Sequence, residues 1–231
     1  MFSKAIKEVK HSIFPLFNTS AKNTGVLGTG FFIDEEGHFL TAAHVINALP
    51  KGSKLGYLGN IPHSKFIGKK FIPIEILAKD DDKDLAYGKL KEDILPPLML
   101  SDRNPDIGES ISLCGYPLPM IVKSKSGETN NSLDVTAVRQ YWQPTIMMDS
   151  VRKDFLYKKK FHSFLTQHAA LPGMSGGPIF NLQSEVVGVI SANWTRRIPR
   201  PNGVNLNVEN GIGIDLTEVN AFLENILKLR S

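Results

Sequence analysis

A chain of 231 residues with 42 % hydrophobic and 22 % charged residues has the composition of a folded globular protein, which excludes a disordered polymer. A formal net charge of +4 is mild for that length and argues against a nucleic-acid binder. The single cysteine, Cys114, excludes an intrachain disulfide, and no run reaches the roughly 18 apolar residues of a membrane-spanning helix.

Phe2, Ala5, Ile6 and Val9 share one face at helical spacing, so the chain is expected to open with a short helix packed on the body. Lys4, Lys7 and Lys10 are followed by no apolar stretch of the signal-peptide kind. Ile13 to Phe17 reads as a strand. Gly25 to Ile33 and Phe39 to Thr41, joined by a turn at Glu36-Gly37, read as a hairpin. Phe71 to Leu77 and Leu85 to Leu90 are further strands. Leu95-Pro96-Pro97 breaks the pattern, and the polar, Pro-containing stretch 99–106 reads as a linker that nearly bisects the chain.

The second half begins with a strand over Ser110 to Tyr116, with Cys114 as a buried strand residue. Residues 117–132 read as a long loop. Strand signals return at Leu133 to Trp142, Phe161 to Thr166, Pro178 to Asn181 and Val186 to Ala192, while Gln143 to Lys160 shows no clear period. The basic runs Lys158-Lys159-Lys160 and Arg196-Arg197 with Arg200 read as solvated loops, since no stacking pattern of aromatics accompanies them. His162 and His168 lie without nearby cysteines at a separation that is not a zinc spacing, so no metal is called for, and His168 reads as a structural residue. Leu216, Val219, Phe222, Leu223, Ile226 and Leu227 then recur at helical spacing. Asp215 can cap this terminal helix, Glu218 would complete a capping box, and Lys228 and Arg230 suit its negative end.

Three segments carry chemistry: Thr41-Ala42-Ala43-His44, Asp84-Leu85-Ala86, and Gly173-Met174-Ser175-Gly176-Gly177-Pro178. A serine hydroxyl is a weak nucleophile until a base takes its proton, and histidine suits that task at neutral pH. A buried carboxylate fixes the imidazole tautomer and stabilises the imidazolium. Small residues around the serine let substrate backbone approach and leave N–H groups, here those of Gly173 and Ser175, for an oxyanion. Chain order discriminates between folds. Gly173 to Gly177 also matches the nucleophile elbow of α/β-hydrolases, which places its histidine after the serine, but all six histidines precede Ser175. The order His44, Asp84, Ser175 is the other template.

These segments, with Val187-Gly188-Val189-Ile190-Ser191, resemble the signatures of the chymotrypsin-like (trypsin-like) serine proteases over roughly residues 25 to 215. The resemblance implies an all-β fold of two antiparallel six-stranded Greek-key β-barrels, with the active site in the cleft between them and a C-terminal α-helix. One protease domain would cover 1–231. Its N-terminal barrel with the short helix would span 1–98, the linker 99–106, the C-terminal barrel 107–214 and the last helix 215–230. It also implies a primary pocket with Ala169 at its base and Ser191, Ala192 and Asn193 along one wall. With no acid at Ala169, a small or medium apolar side chain is expected there rather than Lys or Arg. Met174 stands where activatable members carry an aspartate, and no Ile-Val-Gly-Gly start is present, so zymogen activation is not expected. The chain is similar to bacterial and organellar single-domain members, without the C-terminal peptide-binding domain of many relatives.

The expected function is therefore a serine endopeptidase acting on peptide or protein substrates through an acyl-enzyme. No cofactor, metal, nucleic acid or membrane span is expected. The alternative is a catalytically silent or partner-gated binding module on the same fold. The lone cysteine and the missing signal peptide favour a reducing compartment, hence the cytoplasm.

Overall fold

The computed structural model describes residues 1–19, 24–51, 54–58, 71–90, 96–117, 139–151, 161–201, 203 and 205–230. The loop expected over 117–132, the start of the strand at Leu133, the lysine run at 158–160 and His63 lie outside the described residues, apart from Pro117 at the edge of that loop.

The amphipathic N-terminus forms α1 (Ser3–Val9), with Phe2, Ala5 and Val9 buried. Its anchor is the Phe2 ring, edge-on to Phe180 with centroids 5.8 Å apart. Two sheets follow. The first orders seven strands as β5-β4-β1-β2-β3-β7-β6. They are β1 (Ile13–Thr19), β2 (Thr24–Phe32), β3 (His38–Ala42), β4 (Lys54–Leu58), β5 (Phe71–Pro73), β6 (Glu75–Asp80) and β7 (Leu85–Lys89). The expected hairpin is β2–β3, paired through Phe31 with Leu40 and Phe32 with Phe39. The strand expected over Phe71 to Leu77 is two strands, broken at Ile74, where proline at 73 cannot extend a ladder as a donor. Phe14, Phe32 and Phe39 build the core of this half, with ring centroids 4.8 and 5.3 Å apart.

The second sheet closes into a six-stranded barrel, β10-β13-β12-β11-β8-β9. Its strands are β8 (Ser110–Gly115), β9 (Tyr141–Val151), β10 (Ser163–Thr166), β11 (Pro178–Phe180), β12 (Val186–Pro199) and β13 (Asn205–Asp215). This is the chymotrypsin-like architecture, with one difference from expectation: among the described residues the first half is a seven-stranded sheet in open order, not a closed six-stranded barrel. β12 also runs seven residues past Ala192. Arg196 and Arg197 therefore stand on an exposed strand rather than in a loop, with Arg196 stacked 4.7 Å from the centre of the Trp194 ring. Cys114 is buried in β8, and burial pushes its thiol well above the ordinary range.

The segment between the sheets is pinned on both sides. Leu98 N–H donates to Phe32 O at 2.9 Å, and Ser101 N–H to Val186 O at 2.9 Å. Buried bonds also join the two halves: Tyr116 Oη donates to Ile13 O at 3.1 Å, and Thr29 Oγ1 to Gly173 O at 2.9 Å. The terminal helix α3 (Leu216–Arg230) buries Leu216, Val219, Phe222 and Ile226, while Leu227, expected on the same face, is 67 % exposed. Asp215 Oδ1 accepts the Glu218 N–H as a cap should, and Asn104 Oδ1 accepts the Leu216 N–H. The capping box is not completed, because the Glu218 carboxylate turns to His162 N–H and Lys83 instead. None of the helices among the described residues is long and apolar enough to cross a membrane.

Phe180 sits where α1, β9 and β11 meet, fully buried, with Trp142 edge-on at 5.9 Å. Phe180→Ala should destabilise the fold by about 3–5 kcal/mol, measured by urea unfolding, because the rings of Phe2 and Trp142 cannot collapse into the space.

Candidate active site

Each sheet contributes to one cleft. β3 ends at Ala42, and the chain turns directly into α2 (Ala43–Asn47), a single helical turn that carries His44. The neighbouring strand β7 pairs Leu85 with Ala42, so the residue before it, Asp84, lies beside His44. Asp84 has φ +59, a left-handed conformation that costs a non-glycine residue about 1–2 kcal/mol and that aspartate tolerates better than most. It is 4 % exposed. Its carboxylate meets His44 Nδ1 at 2.9 and 3.0 Å and accepts the His44 backbone N–H at 3.0 Å. The Asp84 carbonyl in turn accepts the Ala43 N–H at 3.1 Å. The His44 side chain is 45 % exposed, and its Nε2 makes no bond among the described residues.

Ser175 comes from the barrel, in the turn between β10 and β11. The glycines around it have steric reasons. Gly176 has φ +82, and a Cβ there would stand 2.1 Å from Thr41 Oγ1. At Gly177 a Cβ would stand 2.1 Å from Cys114 O. The loop is held from both sheets: Thr29 N–H donates to Ser175 O at 2.9 Å, and Gly176 N–H to Ile190 O at 2.7 Å. By contrast the N–H groups of Gly173 and Ser175 have no acceptor among the described residues. The Ser175 hydroxyl donates to Ser191 O at 3.4 Å, a long bond, and not to His44.

Ser191, expected along the pocket wall, sits at an irregularity of its strand. The β12–β13 register slips between Ile190 and Ala192, leaving Ser191 as the bulged residue. A bulge re-aims a side chain, and here the hydroxyl is buried and donates to Asp84 Oδ2. Its carbonyl, rather than its side chain, borders Ser175. Asn193 lies on the same strand, and its amide grips Ala170 twice: Nδ2 donates to Ala170 O and Oδ1 accepts Ala170 N–H, both at 2.8 Å. Ala169 O accepts from Gln143 Nε2 at 3.0 Å. Ala192, half-buried, follows the bulge. His168 is exposed and bonds Pro144 O through Nδ1 at 3.3 Å. The sequence assigned no role to Thr29 or Gln143, because a buried threonine and a strand glutamine carry no local signal of their tertiary partners.

Thr29 Oγ1 donates to Gly173 O and accepts the Tyr116 N–H, each at 2.9 Å, in a fully buried position. Thr29→Val keeps the shape and removes both bonds. The expected loss is about 1–3 kcal/mol in urea unfolding.

The family model described as a trypsin-like peptidase domain matches residues 28–189. A protein of Halomonas elongata named "Probable periplasmic serine endoprotease DegP-like" is 30 % identical over 171 residues, covering 74 % of this chain and 30 % of its own. One of the same name from Hahella chejuensis is 26 % identical, covering 73 % of this chain and 30 % of its own. The chain thus spans about 30 % of the length of these relatives. Their periplasmic names do not support the cytoplasmic placement expected from the cysteine count. Among solved structures, the active form of the Rv3671c protease from M. tuberculosis superposes with a TM-score of 0.66 at 17 % identity, covering 96 % of this chain and 83 % of that one. That likeness concerns the fold. The family model covers well over half of the sequence, and the chain belongs to the trypsin-like peptidase domain family.

Proposed function

We propose that the chain is a serine endopeptidase with His44, Asp84 and Ser175 as its triad. The observation that carries this reading is the buried Asp84 carboxylate bonded to His44 Nδ1 at 2.9 Å, beside a serine whose loop leaves two N–H groups open. Asp84 fixes the tautomer with the proton on Nδ1, which leaves Nε2 as the base. Ser175 attacks a peptide carbonyl as Nε2 takes its proton. The oxyanion is received by the Gly173 and Ser175 N–H groups. His44 then protonates the leaving amine, and water activated by the same nitrogen hydrolyses the acyl-enzyme.

The step requires the Ser175 hydroxyl to leave Ser191 O for His44 Nε2. Such bonds are often long without substrate and tighten in the complex. The present orientation of Ser175 also supports the second reading, a protein whose activity waits on a partner.

The side chain accepted next to the scissile bond is proposed to be small and apolar. Asn193 spans from its strand to Ala170 through two bonds, which narrows the gap between the segments expected to wall the primary pocket. Asn193→Gly should open that gap. In a peptide-library cleavage assay, the variant is expected to accept Leu or Phe where the wild type prefers Ala or Val, and an unchanged profile would reject Asn193 as the filter.

A fluorophosphonate probe should label the wild type at Ser175, located by mass spectrometry, and should not label Ser175→Ala. Asp84→Asn, which puts the proton on the wrong nitrogen, should slow labelling by about 10⁴-fold. A folded wild type that does not label would shift the reading to the partner-gated form.

A further inference from the structure

The proposed reaction leaves one buried ion pair without a role. Glu218, in the first turn of α3, is 3 % exposed. Its Oε1 accepts the His162 N–H at 2.9 Å, and its Oε2 stands 3.2 Å from Lys83 Nζ. Lys83 is the residue directly before Asp84, and its side chain is 20 % exposed.

Stability does not explain such a pair well. Withdrawing two charges from water costs nearly what their attraction returns, and apolar residues of the same volume are often as stable. Placement explains it better. Asp84 is held in a left-handed conformation, which persists only where its surroundings over-determine it. The turn that delivers it, Asp80 to Lys83, has an internal bond from Lys83 N–H to Asp80 Oδ1 at 2.9 Å. On its outer side it meets α2 through Asn47 and Asp81 at 2.8 Å, and the Asn47 amide, followed by Lys79, holds Asp81 below the usual carboxylate range. Those groups are exposed, so that tie is weak. Towards α3 the turn is not sealed by packing. A groove of about 520 Å³ opens there, lined by Asp80, Asp81 and Asp82 on one side and Phe222, Asn225 and Ile226 on the other. The Lys83–Glu218 pair crosses between the same two elements and is largely shielded from water.

We infer that Lys83 and Glu218 are positioning residues: their ion pair ties the Asp84 turn to α3 and so keeps the Asp84 carboxylate on His44. This rests on reading His44, Asp84 and Ser175 as the triad. The pair touches neither substrate nor reacting atoms and acts only through Asp84.

The test needs no known substrate. Fluorophosphonate labelling rates at Ser175 are measured beside the downfield proton NMR signal of His44 Nδ1–H. Glu218→Gln keeps an acceptor for His162 N–H and removes the charge, and it should slow labelling at least ten-fold while broadening or removing the downfield signal. Lys83→Arg keeps the pair and should recover the rate to within about three-fold of wild type. Lys83→Met combined with Glu218→Gln leaves no unpaired buried charge, so it should melt near the wild-type temperature yet label slowly. If this double variant is folded, labels at the wild-type rate and keeps the downfield signal, the pair is structural only and the inference is overturned. A wild type that fails to label at Ser175 overturns the triad reading instead, and this role with it.

Discussion

The constraint that organises the molecule is a carboxylate taken out of water. Asp84 is 4 % exposed, and a buried carboxylate is tolerable only when hydrogen bonds replace its hydration. The bonds come from two directions. His44 supplies a ring nitrogen and a backbone N–H from α2 in the first half, and Ser191 supplies a hydroxyl from the barrel. The two halves must therefore meet in one register for Asp84 to be satisfied. The Thr29 bond to Gly173 and the Tyr116 bond to Ile13 hold that same register from positions deeper in the interface. The geometry of the cleft and the pairing of the sheets are one condition seen from two places.

How much of this was legible in the sequence follows from the range of the forces involved. His44 and Ser175 stood out because steric limits left a local trace: Ala42 and Ala43 beside one, Gly176 and Gly177 beside the other, the latter two blocked by Thr41 and Cys114. The strands β1, β7 and β8 were legible because each is a short apolar run with few buried polar residues. β13 was missed. Its asparagines and glycines, from Asn205 to Gly213, look like a loop, and it is a strand because β10 and β12 both pair with it. β9 was missed for a related reason: most of its residues are exposed or half-buried, so its alternation carries little hydropathy contrast. The one-turn helix α2 is too short to show a period. Glu218 shows a subtler failure. An acid three residues after a cap is the signature of a local box, yet the same residue serves a tertiary ion pair, and nothing local separates the two. Ser191 was placed along the pocket wall, but the bond of its hydroxyl to Asp84 was not legible, because a bulge re-aims a side chain and is set by the partner strand.

The inference from one cysteine to a reducing compartment is not supported by the names of the relatives, and its weak point is again one of scale. Disulfides mark exported proteins mainly where a small domain cannot build a sufficient core. This chain has apolar clusters in both halves and a third set joining them, from Phe14 and Phe39 through Phe180 to Ile179 and Met174. A fold with that much buried surface does not depend on covalent staples, so its cysteine count carries no information about the compartment. Cys114 is conformationally useful as a buried strand residue whose carbonyl crowds Gly177, and its thiol takes no part in the cleft.

The loop around Ser175 shows how rigidity and openness coexist. Its carbonyls and flanking N–H groups are used: Gly173 O by Thr29, Ser175 O by Thr29 N–H, and the N–H groups of Met174, Gly176 and Gly177 by Leu171, Ile190 and Met174. Buried backbone donors are nearly always paired, so the two with no acceptor among the described residues, on Gly173 and Ser175, stand out against their bonded neighbours. Relaxation that would let them find partners is blocked by the same bonds and by the steric limits at Gly176 and Gly177. In the proposed reaction those donors receive a charge that exists only in the tetrahedral intermediate. Donors held by the fold would spare the reorganisation that solvent has to perform in that step.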